Sequence, residues 1–280
     1  MSLSNLYIDY LRGRDATRAA ALAAAMRESQ PFEARLLERY ATHGAGAFTV
    51  DEGTWKGHSA WIGPMLPEPR EWGELWFDTA ELTAMILVPR EPPGDDWHPD
   101  AIRRWTPFVG WLALRPVSIW QYRAYLELAG LARGEIASSQ FIPHDPARIF
   151  NDDDDAVPVT RLTCAEAKGF ANWLGKVLPA QDIWQAARRV LPNAIDALWD
   201  GLRKEWIGYP EPDEDEALAI SVLTMDCDVG EERDLAEIAP PARRMIYSYY
   251  DWSKYFGFRT AVFTEIGLFA NRSAGPLYGR

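Results

Sequence analysis

Apolar positions along the first 46 residues recur at helical spacing. Asp15 stands where an N-cap belongs, ahead of the Ala-rich run Ala19 to Ala25, and predicts a helix reaching about Ser29. Pro31 suits the first turn of a second helix, whose apolar face is Phe32, Leu36, Leu37 and Tyr40. His43-Gly44-Ala45-Gly46 ends it, because glycine supplies the conformations a helix needs to stop. The pair reads as a helical hairpin, so residues 1–46 are expected to form an N-terminal helical extension of structural character.

From residue 47 the pattern changes. Helical periodicity fades, and Glu74-Leu75-Trp76-Phe77-Asp78 and Met85-Ile86-Leu87-Val88 read as short strands. Pro89 to Pro99 reads as a loop. Ser118, three residues before Gln121, makes a capping box for a helix running to Gly130, with Trp120, Ala124, Tyr125 and Leu128 on adjoining faces. Thr163 and Glu166 make a second box, opening a helix whose buried side is Phe170, Ala171, Trp173 and Leu174. Leu178-Pro179 breaks that helix, and Gln181 to Val190 predicts another. Ala219 to Leu223 and Arg259 to Phe263 read as strands. Helices in the middle, flanked by irregular short strands, predict an α+β domain over residues 47–280.

Composition narrows the class of protein. Nearly half of the 280 residues are hydrophobic and 13 are Trp, which is ample material for a packed core. The formal net charge of −12 argues against nucleic acid and anionic membrane surfaces as partners, since both are themselves anionic. No basic region followed by an apolar core opens the chain, and the Ala-rich run is short and flanked by Arg18 and Arg27, so neither a signal peptide nor a membrane span is expected. Cys164 and Cys227 have no paired spacing, which points to a reducing, cytoplasmic setting. The run Asp152 to Asp155 lacks the alternation, Gly and closing Glu of a calcium loop, and reads as a solvated acidic loop.

Three stretches, in order, resemble the formylglycine-generating enzyme (sulfatase-modifying factor) family. Arg115-Pro116-Val117-Ser118-Ile119-Trp120-Gln121-Tyr122 is similar to that family's Pro-Val-Thr-Asn-x-Gln-Tyr helix opening. Val157-Pro158-Val159, Ala165-Glu166-Ala167, Ala171-Asn172-Trp173-Leu174-Gly175, Leu178-Pro179 and Trp184-Gln185-Ala186-Ala187-Arg188 follow the order of its central motif. Gly257-Phe258-Arg259 resembles the Gly-Phe-Arg that closes the family domain. Ala197-Leu198-Trp199-Asp200 and Trp206 are similar to its Gly-Leu-Tyr-Asp and Val-Trp-Glu-Trp segment. The resemblance implies a C-type-lectin-like fold, with one irregular antiparallel sheet, packed helices, and Trp173 and Trp184 facing a common core.

The departures from that family bear on chemistry. Its active members bind copper through a cysteine pair, and soft thiolates are the ligands Cu(I) requires. The corresponding stretch here is Val222 to Asp228, with Cys227 alone and with Asp226 and Asp228 beside it. Like charges on both sides disfavour a thiolate. A second branch holds iron through histidines, but His43, His58, His98 and His144 are scattered. The calcium-site asparagine falls at about Arg203 or Lys204, where a cation opposes calcium. No cofactor or metal is therefore expected.

The leading expectation is a non-catalytic binding or scaffolding protein that captures a protein partner. Its surface would be the aromatic and charged segments around Trp199, Arg203, Trp206, Tyr209, Tyr249 and Trp252. The alternative is a formylglycine-generating oxidase, or a related metal-dependent sulfur oxidase, using Cys227.

Overall fold

The computed structural model describes residues 1–64, 74–89, 108–129, 156–179, 183, 186–187, 204–207, 216–221, 244–248 and 256–263. The chain is mixed α+β, with mostly antiparallel strand pairing. Three helices come first: α1 (Leu3–Gly13), α2 (Ala16–Met26) and α3 (Pro31–His43). The expected hairpin is α2 and α3. Asp15 caps α2 through the Arg18 N–H at 2.9 Å, Pro31 occupies the first turn of α3, and Gly44 ends it at φ 76°. Helix α1 precedes this pair and buries Tyr7, Ile8, Tyr10 and Leu11 along one face.

Strands β1 (Gly46–Thr49), β2 (Ser59–Gly63), β3 (Leu75–Asp78), β4 (Thr83–Pro89) and β5 (Phe108–Ala113) build the first sheet. Helices α4 (Ile119–Leu128) and α5 (Cys164–Trp173) follow. Both capping boxes form as the sequence predicts. Gln121 Oε1 accepts the Ser118 backbone N–H at 2.8 Å, and Glu166 Oε2 accepts that of Thr163 at 2.7 Å. Each removes an orphan donor at a helix start. Of the helix expected at Gln181 to Val190, only Ile183, Ala186 and Ala187 are described, and all three are helical. Trp184 lies outside the described residues, as do the expected Pro89 to Pro99 loop beyond Pro89 and the run Asp152 to Asp155.

Strands β6 (Lys204–Ile207), β7 (Glu216–Ser221), β8 (Arg244–Ser248), β9 (Phe256–Phe258) and β10 (Ala261–Phe263) follow. Among the described residues, the single sheet expected from the sequence is instead two. One runs β1-β2-β3-β4-β5-β10 and the other β8-β7-β6-β9. Each contains one parallel pair, β2 with β3 and β6 with β9. The division falls between Phe258 and Ala261, where Arg259 and Thr260 carry the chain from one sheet to the other and are themselves fully buried.

Strand periodicity sorts the core. Leu75, Phe77, Ala84, Ile86, Val88 and Leu112 face one side of the first sheet and pack with α1, α2, α3 and Trp120 of α4. Trp76, Met85, Trp111, Ala113 and Val262 face the other side as a separate cluster. Both faces are thus covered, which explains why β3 and β4 read as continuous apolar runs. A third cluster joins α4 and α5 through Tyr122, Tyr125 and Phe170 to Trp206 and Phe258. The N-terminal helices share the first of these cores: Tyr7 stands edge-on to Trp120 at 5.1 Å between ring centroids, and its hydroxyl donates to the Ala80 carbonyl.

Candidate functional site

The three stretches singled out in the sequence meet at one place. The Val117 N–H donates to the Phe258 carbonyl at 3.0 Å, the Val159 N–H to the Val117 carbonyl at 2.8 Å, and the Ile119 N–H to the Val157 carbonyl at 3.0 Å. Phe258 also rests on Tyr122 and Phe170. Residues up to 141 positions apart (258 minus 117) therefore share a single backbone junction.

Two buried ionic arrangements flank that junction. In the first, Arg259 Nε donates to Glu205 Oε1 at 2.8 Å, and the guanidinium also donates to the Leu114 carbonyl. Both side chains are sealed from solvent. Burial pushes the Glu205 carboxyl above the usual range, with Arg259 opposing the shift. The second sits at the turn from β3 to β4. Leu82 takes a left-handed φ of 60° there, and its N–H donates to the Asp78 carbonyl at 2.7 Å. The turn carries Asp78 and Glu81 inward, where both meet Lys176 from the segment after α5. Lys176 Nζ lies 2.6 Å from Asp78 Oδ2 and also contacts Glu81 Oε2. The Thr260 hydroxyl donates to Glu81, and Gln121 Nε2 donates to the Glu81 carbonyl at 2.7 Å. Glu81 is shifted upward, first by burial and then by Asp78, against the pull of Lys176.

Sequence reasoning missed this second cluster. Its signal was available: Asp78, Glu81 and Lys176 are charges set within apolar runs. A charge in such a run is either solvated at a turn or buried with a partner, and only the tertiary fold distinguishes them.

The residues expected to bind a partner fare differently. Trp206 is not at the surface. It is fully buried, its indole N–H donates to the Leu162 carbonyl at 2.9 Å, and it belongs to the α4–α5 core. Its place on β6, between β7 and β9, turns the ring inward. Trp199, Arg203, Tyr209, Tyr249, Trp252 and Cys227 lie outside the described residues. Trp173 is half-buried against Tyr125 and Phe170.

Cys164 is buried at the start of α5, and burial raises its thiol to about 12, with Lys168 acting weakly the other way. At neutral pH it is a thiol and a packing group. His58 pairs with Glu74 at 2.7 Å on the surface. Among the described residues, no three His, Cys, Asp or Glu side chains converge as a metal site, and no helix is long and apolar enough to cross a membrane. Among the described residues, a cleft of about 640 Å³ opens between α1 and α4 and another of about 290 Å³ between α3 and β1. Asp9, Arg12, Arg123 and Glu127 line the larger, and Arg35, Glu38, Arg39, His43, Asp51 and Glu52 the smaller, so both are of mixed charge.

No family model matches the chain, and no curated protein matches it.

Proposed function

We propose that this chain is a non-catalytic binding or scaffolding protein on a formylglycine-generating-enzyme-like, C-type-lectin-like frame. The observation that carries the reading is the junction of Val117, Val159 and Phe258. Those residues belong to three separate stretches that resemble the family, and a chance likeness gives no reason for them to be neighbours. The frame holds irregular loops on a rigid base, an arrangement suited to recognition.

We assign the binding surface to residues 199–203 and 208–209, on either side of β6, and to residues 249–255 after β8, with Trp199, Arg203, Tyr209, Tyr249 and Trp252 as contacts. Trp206 supports these segments from within the core. Aromatic and Arg side chains dominate interface energetics, and these segments are rich in Trp and Tyr and include Arg203. The loss of catalysis rests on thiol chemistry. Cys164 is buried and poorly ionised, and Cys227 stands alone between two aspartates.

The test is a pair of variants, Arg203→Glu and Cys227→Ser, each confirmed folded. Chemical cross-linking in the native cell extract, followed by mass spectrometry, identifies a partner of the parent chain. Binding to that purified partner is then measured. Arg203→Glu weakens binding at least tenfold and Cys227→Ser leaves it unchanged. Equal binding by Arg203→Glu and the parent removes the assigned surface.

A further inference from the structure

The cluster beneath the β3–β4 turn plays no part in the proposed binding surface. All its members are closed to solvent: Asp78 and Thr260 are 0% exposed, Glu81 1% and Lys176 3%. No external substrate reaches these groups, so any chemistry is among themselves.

The geometry sets up one reaction. Lys176 Nζ lies against Asp78 Oδ2 at 2.6 Å, one covalent bond short of the Asp78 carboxyl carbon. The second oxygen of that carboxylate, Oδ1, accepts the Ala80 N–H at 2.8 Å, which fixes the plane of the group. Glu81 contacts the same ammonium, and the Thr260 hydroxyl and Gln121 hold Glu81 in place. Among the described residues, an indole ring and a thioether also approach Nζ. The Trp76 ring centroid is 5.2 Å away, and Met85 Sδ is 3.3 Å away. Nucleophile, electrophile and a second carboxyl are thus held together in a site closed to bulk solvent, the condition under which intramolecular reactions gain most from proximity.

We propose that Asp78 and Lys176 are joined by an intramolecular isopeptide bond, with Glu81 as the proton shuttle. Glu81 accepts a proton from the Lys176 ammonium, freeing the amine. The amine attacks Cγ of Asp78, so that a C–N bond forms. Glu81 returns its proton to the departing carboxyl oxygen, the second amine proton follows, and the C–O bond breaks with release of one water. Glu81 ends in the state in which it began, and no oxidant or reductant enters. The driving force is electrostatic. The buried ammonium and the Asp78 carboxylate become one neutral amide and a released water, which removes the desolvation cost of those two charges, while the Glu81 carboxylate that remains keeps the Thr260 hydroxyl as its donor.

This inference is independent of the proposed binding function and has its own experiment. The full chain is purified, its intact mass is measured under denaturing conditions, and its proteolytic peptides are sequenced by tandem mass spectrometry. The expected chain is lighter than its sequence by one water and yields a branched peptide joining Asp78 to Lys176. A chain at full sequence mass, with linear peptides covering both residues, overturns the proposal. Loss of water with only linear peptides places the change at a cyclised aspartate and overturns it as well. Two variants test the shuttle. Glu81→Gln, which keeps the size of the side chain, remains unlinked. Thr260→Val, which leaves Glu81 present without its hydroxyl donor, links at least tenfold more slowly. Linkage in both as complete and as fast as in the parent removes Glu81 from the reaction.

Discussion

Glu205 and Arg259 form an ion pair at 2.8 Å in which neither side chain reaches solvent. Glu205 belongs to β6 and Arg259 follows β9, so the pair ties the second sheet to the link that leads into the first. Arg259 extends the tie to the Leu114 carbonyl beyond β5. Removing one partner from such a pair leaves a buried charge uncompensated. Arg259→Met is therefore expected to lower the free energy of unfolding by about 3–5 kcal/mol. Adding Glu205→Leu to it restores a large part of that loss. Urea denaturation of the two variants measures both effects.

The same pair sets a pH dependence. Burial holds the folded Glu205 carboxyl above its unfolded value of 4.5. Between those two values the folded state binds more protons than the unfolded state, so stability falls as pH rises through the window. The Glu205 contribution is complete below pH 4.5 and is lost as the pH passes the raised folded value. Relative to Glu205→Gln, the parent is expected to lose stability as pH climbs from 4.5. A parent that gains stability over that range contradicts the assigned direction.

The two capping boxes differ in what depends on them. Thr163→Ala removes an N-cap acceptor and costs about 1 kcal/mol. Gln121 both accepts the Ser118 N–H and donates to the Glu81 carbonyl, so Gln121→Ala leaves two buried backbone groups unpaired. It is expected to cost roughly 2–4 kcal/mol, and thermal unfolding of the two variants ranks them.

Trp206 separates packing from recognition. Trp206→Phe keeps an aromatic ring but strands the Leu162 carbonyl, and costs about 1–3 kcal/mol. Trp206→Ala opens a cavity between α4, α5 and β6, and costs about 3–5 kcal/mol. Calorimetry checks the order. Full stability in Trp206→Ala contradicts the core assignment.

The thiol at Cys164 is expected to resist alkylation at pH 8 in the folded chain and to react only on unfolding, because burial keeps it protonated. Cys164→Ala is expected to cost on the order of 1 kcal/mol. Mass-spectrometric counting of alkylated cysteines, with and without denaturant, provides the check.

What the sequence made legible is local. Asp15, Pro31, Thr163 and Glu166 act within a few residues of themselves, and the helices they open are where the pattern places them. Helix α1 carried the same kind of signal, with Ser2 accepting from Asn5 and Tyr7, Tyr10 and Leu11 at helical spacing, but its short apolar stretch was less evident beside the Ala-rich run. Strand partners are chosen by residues far away. Nothing near Trp61 announces its parallel alignment with Trp76, and nothing near Ala261 announces that β10 leaves the second sheet to pair with β5. Lys176 is the sharpest case. Its partners Asp78 and Glu81 lie across the whole span from β3 to the end of α5, so a buried cluster looked like three unrelated charges.

The central claim, a frame resembling an oxidase but lacking its chemistry, is tested most directly by oxidation of a cysteine-containing sulfatase-type peptide. The purified chain is supplied with copper and oxygen, and loss of the peptide thiol is followed by mass spectrometry beside Cys227→Ser. The account predicts the same background rate in both proteins. Turnover by the parent that disappears in Cys227→Ser contradicts it and makes the chain an enzyme.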